Sequence, residues 1–136
     1  MAERNFLVIT HGEFGIELIK SVEMIIGSQD HVKGLGLRPG ESVDNLKQLA
    51  IELVEKNTSE GRETVVFCDI LGGSPSNVGL FLLSKEGVNY VATGVNMTML
   101  ISILTSGEED TLTLLEEAKQ EVEEGLRLID LSFIKK

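Results

Sequence analysis

Thr64-Val65-Val66-Phe67-Cys68-Asp69-Ile70-Leu71-Gly72-Gly73-Ser74-Pro75 reads as an apolar strand that runs into a polar, glycine-rich turn and then a helix start. The run Val65–Cys68 is continuously apolar, as a strand buried on both faces must be, and such strands belong to parallel sheets covered by helices. Pro75 suits a first helical turn, where its missing N–H is not needed. Phe6-Leu7-Val8-Ile9 followed by Thr10-His11-Gly12 repeats the arrangement near the start of the chain. Each strand delivers a polar group at its carboxyl end: His11 from the first, Asp69 from the other.

Working outward, strand-like runs alternate with amphipathic segments, the signature of βαβ units. Leu18, Ile19, Val22, Ile25 and Ile26 recur at helical spacing, and Gly27 stops that helix. His31–Leu37 is a second strand, followed by the loop Arg38-Pro39-Gly40-Glu41 and by Ser42, an N-cap for a helix with Leu46, Leu49, Ala50 and Leu53 inward. After Pro75, Val78, Leu82 and Leu83 give a third helix its apolar side, closing at Gly87. Val88–Thr93 is the fourth strand. Asn96 caps a helix through Met97, Leu100, Ile101 and Leu104, and a last helix after Glu108–Asp110 carries Leu115, Ala118 and Val122 inward. Leu126–Phe133 alternates apolar and polar residues, the pattern of a half-buried edge or antiparallel strand. The expected fold is therefore α/β: a three-layer, mostly parallel sheet of order 2-1-3-4 with helices on both faces, plus a C-terminal antiparallel edge strand. No linker divides residues 1–136, which read as one domain.

With 136 residues, 42% apolar and 25% charged, the chain can bury a sizeable core. No apolar run reaches the ~18 residues of a membrane span, and Met1–Asn5 leads into a short strand rather than a signal peptide. A cytoplasmic protein is expected, with no insertion into membranes. Cys68, the single cysteine, excludes an intrachain disulfide and a cysteine-based metal site. A formal charge of −10 opposes nucleic acid and anionic surfaces. An anionic ligand must then be held by local dipoles and a few donors.

In open parallel sheets, ligands bind beyond the carboxyl strand ends where the strand order reverses. For the common order 2-1-3-4, which is assumed, that crevice lies between strands one and three, at His11 and Asp69. An imidazole is a nucleophile through one nitrogen only when the other holds the proton. A carboxylate on that N–H fixes the tautomer and stabilises positive charge on the ring. Gly72, Gly73 and Ser74 precede a helix N-terminus, where amides and the helix dipole favour phosphoryl oxygens. Thr10 and Gly12 offer a hydroxyl and an amide from the other loop. A lone histidine at a strand end is more often structural, and Gly-Gly-Ser-Pro alone is usually a turn. It is their convergence that points to chemistry. His31 reads as a surface residue, and Cys68 as a core thiol.

Thr10-His11-Gly12, Asp69-x-x-Gly72-Gly73-Ser74-Pro75 and Gly94-Val95-Asn96-x-x-Met99-Leu100, in register with the loop Pro39-Gly40-Glu41, resemble the IIA component of mannose-family sugar phosphotransferase systems. The resemblance covers essentially the whole chain, with Thr98 where members often carry proline. It implies that His11 accepts a phosphoryl group from phospho-HPr on its tele nitrogen, Nε2. The group then passes to a cognate IIB protein, expected as a separate chain, which phosphorylates sugar entering through membrane IIC and IID. It further implies that Asp69 orients His11, and that Ser74 with the amides of Gly72, Gly73 and Gly12 and the hydroxyl of Thr10 binds the phosphoryl. Neither cofactor nor metal enters this reading. The family also implies a homodimer in which the last strand, about Leu126 to Leu131, crosses to the partner's sheet.

Three other functions compete, with a non-catalytic flavodoxin-like binding module as the remainder. A phosphocarrier serving dihydroxyacetone kinase also has its histidine after strand one, so the local chemistry hardly separates it. A receiver-like domain phosphorylated on Asp69 needs carboxylates after strand one to hold Mg²⁺, where this chain has Thr10-His11. A serine hydrolase built on Ser74 lacks the Gly-x-Ser-x-Gly elbow. If the last strand is exchanged, truncation after Gly125 will convert a dimer to a monomer. Light scattering that returns an unchanged dimer mass would count against the exchange.

Overall fold

The computed structural model describes residues 3–134; Met1 and Ala2, read as lead-in to the first strand, and Lys135 and Lys136 lie outside it. The elements run β1 (Arg4–His11), α1 (Phe14–Ile26), β2 (Val32–Leu37), α2 (Val43–Ser59), β3 (Glu63–Cys68), α3 (Ser74–Leu82), β4 (Val88–Thr93), α4 (Met97–Leu104) and α5 (Thr111–Gly125). All strand pairings are parallel, in the order β2-β1-β3-β4, the common order assumed for a chain of this alternation.

The central strands alternate their side chains between two cores. Phe6, Val8, Val65 and Phe67 face α1, α4 and α5, packing on Leu18, Val22, Leu100, Ile103, Leu114 and Ala118. Leu7, Ile9, Val66 and Cys68 face α2 and α3, against Leu46, Ala50, Val54, Val78 and Leu82. Helices one and three thus cover opposite faces, as right-handed crossovers require. The caps fall where the sequence put them: Ser42 Oγ accepts from the Asn45 N–H at 3.2 Å, and Asn96 Oδ1 from the Met99 N–H at 2.9 Å. At the amino edge of the sheet, Asn5 donates to Asn57 Oδ1 (2.6 Å), and Asn57 donates to Thr64 Oγ1 (2.9 Å). Asn57 makes these bonds from within α2, which ends at Ser59.

Two boundaries differ from expectation. Helix α3 ends at Leu82 rather than running to Gly87, because the chain turns through 3-10-type bonds such as Ser84 N–H to Phe81 O. The expected strand over Leu126–Phe133 is not formed: Leu126–Asp130 belong to no strand, and Leu131–Phe133 make a 3-10 turn. A strand needs a neighbour for its backbone groups, and among the described residues none pairs with this segment. Leu126, Leu128, Ile129, Leu131, Phe133 and Ile134 are left exposed.

Glycine matters where the first two loops meet. A Cβ on Gly36 in β2 would lie 1.9 Å from the Gly12 carbonyl oxygen, a backbone atom that cannot swing away. Gly12 itself has φ +54°, and its N–H bonds Leu37 O at 2.8 Å. Gly36→Ala is therefore expected to push the His11 loop off β2 and destabilise the fold by about 2 kcal/mol or more, on the scale of overpacked cores. Urea unfolding checks this; an unshifted midpoint would refute the tight approach.

Candidate active site

His11 is the last residue of β1, and Asp69 follows the last residue of β3. Because Ile9 pairs with Cys68, the two side chains emerge from neighbouring strand ends. Asp69 Oδ2 accepts the His11 Nδ1–H at 2.8 Å and the His11 main-chain N–H at 3.0 Å. Asp69 Oδ1 accepts the Ile70 N–H at 3.0 Å. Burial pushes this carboxyl up, but the bonds from the His11 main chain and ring and from Ile70 outweigh it, leaving the group below the ordinary aspartate value. An ionised carboxylate only accepts, so Nδ1 carries the proton and Nε2 presents a lone pair. The ring is 51% exposed, whereas the Asp69 side chain is 13% exposed. The imidazole is open and the carboxylate bonded to it is sheltered.

The turn after Asp69 is shaped to the ring. Gly72 has φ +95°, a conformation that side chains disfavour. Gly73 has an ordinary φ but lies against the imidazole, where a Cβ would stand 2.8 Å from Cε1 and 3.3 Å from Nε2. Ser76, not singled out from sequence, closes this turn. Its buried hydroxyl accepts the N–H groups of Gly72 and Gly73, each at 3.1 Å, and donates to Gly73 O at 2.9 Å. The signal was available: a serine at the third helical position is where a side chain reaches back to the cap.

These bonds separate the expected phosphoryl-binding groups. The amides of Gly72 and Gly73 are turned to Ser76, and that of Gly12 to Leu37. Thr10 is fully buried; its hydroxyl accepts from the Gly15 N–H at 2.8 Å and donates to His11 O at 3.2 Å, fastening the loop from beneath. Ser74 is half-buried as the first residue of α3, where a first-turn amide has no intrahelical partner. Gly72, Gly73, Gly12 and Thr10 shape the loops around His11.

On the other flank, His11 shares a cleft of about 500 Å³ with Gly12, Leu37, Arg38, Pro39, Gly40 and Glu41. The Arg38 guanidinium pairs with Glu13 and, at 3.5 Å, with Glu41, and the Arg38 N–H donates to Glu41 Oε1 at 2.8 Å. Phe14, Ile70 and Leu71 are large apolar residues left exposed on the same loops. Cys68, beneath Asp69, is buried, and its thiol is pushed up to about 12 by burial and then by the Asp69 charge; it is a core group. His31 is exposed, away from the pair.

Two of the competing readings lose ground here. Both Asp69 oxygens are engaged, so Asp69 is not placed as a receiver's phosphoacceptor. Among the described residues, the side-chain hydrogen bond of His11 runs to Asp69, and none joins it to Ser74 as a triad would need.

Asp69→Asn removes the acceptor charge while keeping the shape. Wild-type stability from Asp69 is full above about pH 4, the ordinary aspartate range, and is lost as pH falls through its lower folded value. The variant should lack this acid-side loss. Urea midpoints measured from pH 6 to pH 3 that fall in parallel for both proteins would refute the assignment.

Comparison with known proteins places this geometry. The family model described as EIIA-man, PTS system fructose IIA component, matches residues 5–123. The chain is 30% identical over 102 residues to the PTS system mannose-specific EIIAB component of Escherichia coli K12; the match takes in 74% of this chain and 31% of that protein. It is 28% identical over 102 residues to the PTS system fructose-specific EIIA component of Bacillus subtilis 168, covering 75% of this chain and 69% of that one. The chain thus spans about a third of the length of the E. coli relative. Among solved structures, the mannose/sorbose specific IIA subunit of Enterococcus faecalis superposes with a TM-score of 0.83 at 21% identity, covering 95% of this chain and 96% of that one. A PTS IIA protein associated with the fucose utilization operon of Streptococcus pneumoniae superposes at 0.75 and 27% identity, with both chains fully covered.

Proposed function

The chain belongs to the mannose-type EIIA family, and on that premise we propose that it is a phosphocarrier that takes a phosphoryl group from phospho-HPr onto His11 Nε2. It hands the group to a IIB protein, which commits it to a sugar during uptake. The carrying observation is the Asp69–His11 Nδ1 bond at 2.8 Å on a ring that is half exposed.

The chemistry follows from that bond. The Nε2 lone pair attacks phosphorus, an N–P bond forms, and the donor's bond to phosphorus breaks, its electron pair staying on the donor imidazole. His11 keeps its Nδ1 proton throughout, so the phosphorylated ring is cationic, and Asp69 stabilises that charge in place. Holding the ring in one tautomer and one direction supplies positioning, the main contribution a protein makes to phosphoryl transfer. The reverse displacement, with a IIB nucleophile, uses the same bond. Ser74 and the first turn of α3 offer donors to the transferring oxygens.

The surroundings suit protein partners rather than a small substrate. The imidazole lies at an open edge, with Phe14, Ile70 and Leu71 exposed around it, as docking of a carrier protein requires. No helix among the described residues is long and apolar enough to cross a membrane, which agrees with a cytoplasmic shuttle serving IIC and IID indirectly. The reading takes residues 1–136 as one EIIA-type unit. It includes a homodimer in which the exposed segment from Leu126 covers apolar side chains and pairs with a second copy's sheet. Nothing found favours the dihydroxyacetone kinase partner.

His11→Ala is expected to abolish labelling by phosphoenolpyruvate, enzyme I and HPr. In the wild type the label should be acid-labile, base-stable and resistant to hydroxylamine. Normal labelling of the variant, or release by hydroxylamine, would overturn the assignment.

A further inference from the structure

The cleft beside His11 contains an ion-pair cluster that the transfer mechanism above leaves unused. Leu37 is the partner of His11 across the β1–β2 pairing, and Gly12 N–H bonds its carbonyl, so Arg38 follows directly at the strand end. Parallel strands lie about 4.8 Å apart, which puts the guanidinium within an arginine's reach of the His11 ring. Helices α2 and α3 cover the same face of the sheet, so the loops leading into them flank His11 on opposite sides. Gly73 is against one side of the ring; Arg38 and Glu41 are across the cleft.

Among the described residues, Arg38 is the one cation lining this cleft, and two carboxylates hold it there. A phosphoryl group on Nε2 would add nearly two negative charges beside Glu13 and Glu41, in a chain of net charge −10. The helix start at Ser74 offers partial charges only. Guanidinium carries five N–H donors in a planar fork matched to phosphate, and the two carboxylates leave part of that fork unused. Glu13 occupies the N-cap of α1 but makes no side-chain capping bond, its carboxylate reaching Arg38 instead. Released, it would remain at the favourable end of the α1 dipole. Glu41 also accepts the Arg38 main-chain N–H, so it holds the loop whichever way the guanidinium turns.

The geometry points to Arg38 as a phosphoryl-binding residue of the phosphorylated state, its guanidinium exchanging Glu13 for the oxygens of the group on His11. Glu13 is then a competitor that parks the cation when His11 is bare. This inference rests on His11 being the phosphoacceptor.

The test is the equilibrium between phospho-HPr and the phosphorylated chain, reached with catalytic enzyme I and limiting phosphoenolpyruvate and read by ³¹P NMR. Arg38→Ala should move the ratio about tenfold toward phospho-HPr, the scale of one charge-assisted bond. Arg38→Lys should recover part of the loss, keeping charge without the fork. Glu13→Gln should move the ratio the other way, toward the phosphorylated chain, which no general weakening of the fold would produce. Ratios within twofold of wild type in Arg38→Ala, or a Glu13→Gln shift toward phospho-HPr, would overturn the assignment while leaving His11 as acceptor. A wild-type chain that takes no label on His11 would instead remove the phosphocarrier reading itself.

Discussion

The structure of the site depends on one carboxylate. Asp69 accepts from both N–H groups of His11, main chain and ring, with the same oxygen, and from its own following amide with the other. The main-chain bond ties the end of β1 to the end of β3, and the ring bond chooses the tautomer. Backbone placement and chemical state are thus set by one group, which is why it sits mostly sheltered while the ring it serves is half open. A less firmly placed carboxylate would leave two tautomers and several ring directions in play, and phosphoryl transfer depends on positioning above all.

Everything around that pair works by close approach. Gly73 leaves room for the ring, Gly36 for the Gly12 carbonyl, and Gly15 for the Thr10 side chain, each at a distance a Cβ would violate. Hydroxyl groups then lock the loops from within: Thr10 to Gly15, Ser76 to Gly72 and Gly73. Such a site has little freedom to rearrange, and its remaining mobile charge is on Arg38, whose partners are both exposed carboxylates.

Several side chains have other duties than their positions in the chain suggested. Thr10 and the amides of Gly12, Gly72 and Gly73 read as phosphoryl donors because they stand in polar loops beside the nucleophile. Each has a partner within the chain: the buried Thr10 hydroxyl with Gly15 and His11, the Gly12 amide with Leu37, and the Gly72 and Gly73 amides with Ser76. On α5 the buried positions are Thr111, Leu114 and Ala118, whereas Leu115 and Val122, expected inward, are only half-buried. The C-terminal alternation is real in the sequence but forms no strand in one chain, because alternation describes which face can be buried and not what will bury it.

What the sequence by itself determined is the part written in local pattern. Continuous apolar runs made buried parallel strands, helical spacing placed the covering helices, and the polar ends of β1 and β3 brought His11 and Asp69 to one crevice through the sheet order. The strands and helices follow from burial, which neighbouring residues encode; the strand order was the common one assumed, and the tertiary structure decided it. What only the tertiary structure decided is which donors are spent and which remain. The turn of Ser76 back onto two glycine amides, the placing of Arg38 between Glu13 and Glu41, and the contact of Gly73 with the imidazole all depend on how loops meet side chain to side chain. Of these the Ser76 turn and the Arg38–Glu41 pair are local, and the turn is legible as a helix cap once the start of α3 is known. The Arg38–Glu13 pair and the contact of Gly73 with the imidazole join loops from different strands at ångström distances, and no periodicity in the chain records such distances.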